Sequence, residues 1–118
     1  MAKQDVADRV AAELHAAELA RKSGNEGRAR VCARRAAGWA IAAHLDRRGL
    51  PRRSESALVL LRQFQREAGV SESVRAASGR LAARVTAEHQ LPHPEDPLED
   101  ARRIVRELLP LTRPEAEP

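Results

Sequence analysis

A chain of 118 residues has room for one domain around a single core. Of its apolar residues 23 are Ala, whereas Leu, Ile, Val and Phe together number 24, so the core is thin and a second copy of the chain is an expected source of further burial. Nineteen arginines dominate the charge, which is unevenly spread: residues 1–90 hold 17 basic and 10 acidic side chains, residues 91–118 hold 4 and 7, a basic body that can attract a phosphate-bearing ligand.

Helical spacing recurs along the chain, and no stretch has the β-branched or aromatic alternation of a strand. The first helix, about 3–22, carries Val6, Val10, Leu14 and Ala17 on one face and ends at "SGN". The second, about 26–48, starts after the N-cap residue Asn25 and stops at Gly49, with Pro51 beyond. Within it "AAGWAIAAHL" (36–45) is apolar all round apart from one histidine, the mark of a helix surrounded by neighbours.

A third helix, about 55–68, is predicted to begin at Ser54 and end at Gly69, with Leu58, Leu60, Leu61 and Phe64 facing the core. A fourth, about 72–90, begins at Ser71 and repeats Val74, Ala77, Leu81 and Val85. The proline-rich "LPHPEDP" then breaks the chain. Asp96 caps a fifth helix with Pro97 in its first turn, and Leu98, Ala101, Val105 and Leu108 form its buried stripe. The expectation is an all-α, up-and-down bundle of about five helices over residues 1–112, followed by a flexible acidic tail, 113–118.

Cys32 stands alone, which excludes an intrachain disulfide and a cysteine zinc site. The four histidines lack paired ligand spacing, so neither a metal nor a cofactor is expected. "MAKQDVADRV" has no signal-type apolar run, and nowhere do 18 uncharged apolar residues follow one another. The chain is expected in the cytoplasm, away from membranes.

Two stretches, "ARVCARRAAGWAIAAHLDRRGLP" followed by "SALVLLRQF", and "LAARVTAEHQLPHPEDPLEDARRIVRELL", together resemble the HEPN family of small prokaryotic helical domains across about residues 5–109. The resemblance implies a bundle, commonly homodimeric, found beside a nucleotidyltransferase in toxin-antitoxin pairs, in metal-independent endoribonucleases, and in catalytically silent modules that bind a nucleotide, RNA or a partner protein. In its ribonuclease branch an Arg and a His four to six residues apart form the active motif, which here falls on Arg84 and His89. His89 would move a proton at the ribose 2′-oxygen or the leaving oxygen, and Arg84 would hold the phosphate.

Arg9 and His15 repeat the same spacing in the first helix, and two such pairs are about what chance supplies in so arginine-rich a chain. Five residues also place Arg84 and His89 roughly 140° apart on an unbroken helix. Val85 replaces the polar residue that follows the family's arginine, "RRSESALVLL" has no histidine, and the chain has no tyrosine. These departures turn the expectation toward the non-catalytic branch, with Arg30, Arg34 and His93 as candidate nucleotide or RNA contacts, and Trp39 and His44 as packing or dimer-interface residues. A separate alternative is a DNA-binding helix-turn-helix over residues 65–79, from "QREAGVSESVRAASGRL", although Gly69 as a helix stop and Ser71 as a cap explain the same letters.

Overall fold

A computed structural model describes residues 3–84 and 91–109. They form a bundle of five helices: α1 (Lys3–Lys22), α2 (Glu26–Arg47), α3 (Ala57–Phe64), α4 (Glu72–Ala82) and α5 (Pro97–Leu108). There is no strand among the described residues, and no helix in them is long and apolar enough to cross a membrane. His89, Val85 and the tail 113–118 lie outside the described residues.

Helix boundaries follow local chemistry. The Asn25 side chain accepts a hydrogen bond from the Arg28 N–H at 3.0 Å, and Ser56, Ser71 and Asp96 cap α3, α4 and α5 in the same manner. Gly24 (φ +83°) and Gly49 (φ +66°) take the left-handed conformation that ends α1 and α2. In each case the two N–H groups after the helix return to its last carbonyls, Asn25 to Ala20 and Gly24 to Arg21, Leu50 to Leu45 and Gly49 to Asp46.

Two helices are shorter than their apolar spacing predicts. α3 starts after Ser56, because the Ser54 hydroxyl accepts from the Ser56 N–H at 2.9 Å and so holds the preceding loop in a turn. It ends at Phe64, before Gly69: the chain unwinds through Arg66-to-Gln63 and Glu67-to-Phe64 bonds, which lets Val70 bury ahead of α4. α4 stops at Ala82, with Ala83 extended at φ −69°, ψ 146°. Here Arg34 of α2 donates from Nε to the Leu81 carbonyl at 2.7 Å and from Nη2 to the Ala83 carbonyl at 3.0 Å. Those acceptors would otherwise bond to later N–H groups of a continuing helix.

α2 is the central element, packed against α1, α3 and α5. Its Ala33, Ala36, Ala37, Ala40, Ile41 and Leu45 are completely shielded, as the unbroken apolar stretch predicts. α1 runs antiparallel to it. At one end Arg21 pairs with Asp96 at the start of α5, and at the other Arg47 donates to the Leu108 carbonyl at 2.7 Å, so α5 runs in the same direction as α2. Ser71 meets Glu107, and Arg80 meets Asp100, which sets α4 antiparallel to α5. The short α3 bridges the two pairs, its Ala57 against Gly38 and its Phe64 ring edge-on to His44 at 5.4 Å between centroids.

Among the described residues two polar side chains enter the core, each with a partner. Ser78 donates to the Val74 carbonyl one turn back at 2.8 Å. The Asp100 carboxylate accepts two bonds from Arg80, at 2.8 and 2.9 Å, the planar fork geometry that suits a buried carboxylate. Cys32 is a buried free thiol.

Candidate functional site

Val31, Arg35, Trp39 and Ala42 of α2, spaced by three or four residues, are aligned on one face, exposed at Val31 and Arg35, half-buried at Trp39 and buried at Ala42. α1 flanks it on one side and the segment from Arg52 to Leu60 on the other, leaving a groove of about 490 Å³ floored by Val31, Gly38, Trp39, Ala42 and Leu58. The groove continues past Trp39 into a recess of about 310 Å³ that reaches Val6, Ala43 and Leu109. Volumes of this size suit ligand-binding clefts.

Gly38 sets the depth of the groove. A Cβ there would lie 2.8 Å from the Ala57 Cβ, so only glycine lets the first turn of α3 come this close to α2. Trp39 is half-buried, and the Arg9 guanidinium of α1 sits 4.8 Å from its ring centroid, a cation over an aromatic face. On the opposite bank Arg52 bonds to Asp46 at 3.2 Å and to Glu55 at 3.0 Å, tying α2 to the loop before α3.

Charge along the groove is asymmetric. At its far end Asp46 and Glu55 are matched by Arg52. At the Val31 end, Arg34 and Arg35 line the groove with Glu13 as the one carboxylate there, and Arg30 lies close enough to Arg34 to disfavour its charge. Burial, with Arg30 adding to it, pulls the Arg34 guanidinium below the usual arginine range, and its two carbonyl acceptors compensate the desolvation. Arg28, Arg30 and Arg35 form no ion pair among the described residues. Val31 remains 40% exposed among these cations.

The residues singled out from the sequence are dispersed. Arg34 lies at the basic end of the groove with its guanidinium committed to the end of α4, and Arg30 is near Arg34 without lining the groove. Trp39 is the groove's centre. His44 faces inward against Phe64, and burial, assisted by Arg47 and Arg48, holds its imidazole below the ordinary 6.5. His93 belongs to a separate, shallower recess with Gln65, Arg75 and Arg80; its Nε2 lies 3.2 Å from the Arg80 carbonyl and its buried Nδ1 is 3.7 Å from Glu95.

Arg84 is exposed and lies beyond the end of α4, so an unbroken helix does not fix its angle to position 89. The stretch proposed as a helix-turn-helix has α3 and α4 separated by seven residues, 65–71, and the exposed positions of α4 are Glu72, Ser73 and Ala76.

Sequence reasoning missed Arg9, Val31, Arg52, Leu58 and Leu109 as groove residues. The signal for Val31 and Arg35 was present, since Val31, Arg35 and Trp39 follow one another at steps of four. Arg9 and Arg52 are brought in by tertiary packing alone. Among the described residues no group of three or more His, Cys, Asp or Glu side chains is placed to hold a metal ion. No family model, curated protein or solved structure matches this chain.

Proposed function

We propose that this protein is a non-catalytic, HEPN-like binding module whose working surface is the groove over Trp39, and that this groove receives a partner protein. The observation that carries the reading is the coexistence of an apolar floor (Val31, Trp39, Leu58) with Arg35, which lines it and forms no ion pair among the described residues. Val31, left 40% exposed in so thin a core, has a use in recognition, and an aromatic anchor flanked by arginines is the composition of binding hot spots. A nucleotidyltransferase is the partner that the family resemblance implies. A nucleotide or RNA is less well served, because Glu13 and Glu55 line the groove, and Arg9 covers one face of the indole.

A photo-crosslinking residue placed at Val31 in the native cell tests this. One dominant protein adduct is expected, lost on Trp39→Ala and not formed from the exposed position Arg62 on α3. The same adducts from both positions, or none at Val31, would overturn the reading. Adducts of the chain with itself would identify the partner as a second copy.

A second reading, the metal-independent endoribonuclease using Arg84 and His89, is favoured by one observation: α4 ends at Ala82 and leaves Arg84 exposed. RNA cleavage by the parent and by His89→Ala decides it, and equal activity in the two removes it.

A further inference from the structure

We propose that the element received by the groove is an acidic amphipathic helix of a partner protein, with its carboxylates over Val31 and Arg35; this rests on the partner-binding reading above. Length is the first argument. From Val31 to Trp39 the α2 axis rises about 12 Å, and two turns of a facing helix span roughly 11 Å. Apolar residues at i, i+3 or i+4, and i+7 of such a helix would therefore meet Val31, the Arg35 stem, and the Trp39–Leu58 pair in turn. Ala42 is small enough on the floor for helix axes to approach to the ordinary 8–10 Å.

Charge is the second argument, and it selects among occupants. Among the described residues Arg28, Arg30 and Arg35 form no ion pair, and all lie within the first three turns of α2. Glu13 alone opposes them in the groove wall. At the other end Arg52 is already satisfied by Asp46 and Glu55. A nucleic-acid strand places a phosphate at every step and needs cations along the whole track; this groove has them at one end only, with an apolar floor between. A helix with carboxylates at one end and leucine-like residues along one face fits both features.

Trp39 is the chain's sole tryptophan and there is no tyrosine, so its emission reports the groove directly. The probes are a synthetic Leu/Ala/Glu peptide with Leu at helical spacing and Glu in its first turns, its Lys-for-Glu counterpart, and a scrambled Glu peptide. The acidic helix is expected to shift Trp39 emission to the blue and saturate. Binding should weaken by about ten-fold or more with the lysine counterpart, the scrambled peptide or Arg35→Glu, and should decline with added salt. Arg35 is exposed and has no ion pair among the described residues, so Arg35→Glu is expected to fold, which circular dichroism checks. Equal binding of the lysine peptide, or indifference to Arg35→Glu, would overturn the acidic-helix assignment and leave the partner-binding reading standing. If neither helical peptide moves the emission the assignment also fails, and the crosslinking at Val31 then judges the partner-binding reading on its own.

Discussion

Alanine in place of glycine has opposite consequences at two positions of the same helix. At Gly38 the added Cβ would stand 2.8 Å from the Ala57 Cβ and 3.1 Å from the Ala57 Cα. Ordinary carbon contacts lie at about 3.5–4.0 Å, so the first turn of α3 must retreat by close to ~1 Å. Neither atom is the end of a flexible side chain. Overpacking of this kind costs about 1–3 kcal/mol, offset by roughly 0.5–1 kcal/mol from removing a helical glycine. Gly38→Ala should therefore destabilise by about 1–2 kcal/mol, a fall in Tm of roughly 5–10 °C for a domain this small.

At Gly27 the nearest atoms to an added Cβ are Asn25 Oδ1 at 3.8 Å and Arg30 Nη2 at 3.9 Å, both ordinary contacts. Gly27→Ala should stabilise by up to about 0.5–1 kcal/mol. Thermal melts by far-UV circular dichroism measure both. The pair Gly38→Ala with Ala57→Gly should be less unstable than the two single changes summed, because the clash is shared. A Gly38→Ala protein at least as stable as Gly27→Ala, or strict additivity with Ala57→Gly, would refute the claim that Gly38 sets the approach of α3 to the groove.

Replacing Arg80 by Leu strands the Asp100 carboxylate, whose side chain is 5% exposed, and should cost about 3–5 kcal/mol in urea unfolding; Arg80→Leu with Asp100→Leu should recover most of it. Arg34→Met removes the donors to the Leu81 and Ala83 carbonyls and should cost about 1.5–3 kcal/mol, with loss of helical signal if α4 frays. The His44 imidazole is held below its ordinary 6.5, so the unfolded chain binds its proton first as pH falls. Stability should decline from near neutrality downward through the folded value, and His44→Leu should flatten that slope. The Arg21 hydrogen bonds, opposed in part by burial, hold the Asp96 carboxyl below its ordinary 3.8; that contribution is present above this value and lost as pH falls through the folded one. Asp96→Asn keeps an N-cap for α5 but removes the pair, and because both side chains are more than a third exposed the loss should stay under about 1 kcal/mol.

What could be read from the letters was whatever local chemistry decides. Gly24 and Gly49 end helices, Asn25, Ser71 and Asp96 begin them, and the alanine-dense run from Ala36 to Leu45 is enclosed, because caps, left-handed turns and apolar periodicity act over a few residues. The ends of α3 and α4 were not legible. Apolar spacing continues past Phe64 and past Ala82, and what stops the helices is the burial of Val70 and the reach of Arg34, 47 residues away from Leu81 in the chain. The groove was half legible. Trp39 and Arg34 drew notice as individual residues, but a cavity is a relation between elements. Arg9 on the indole and Arg52 across the bank follow from how α1 and the loop before α3 pack on α2.

The position of the groove follows from a mismatch in helix lengths. α2 has 22 residues and runs about 33 Å, whereas α3 has eight and covers about 12 Å of it. α3 begins at Ala57 beside Gly38 and proceeds toward His44, so it does not run along the stretch of α2 before Gly38, where Arg34 meets the end of α4. A helix face left open by its own fold is usually polar. Here it is polar only at the arginines, whose aliphatic stems also shield apolar surface from water, and it keeps Val31 and Trp39 as large apolar groups where the bundle lacks a layer. On the proposed reading a partner helix covers this stretch, and Arg35 beside Val31 favours carboxylates on it.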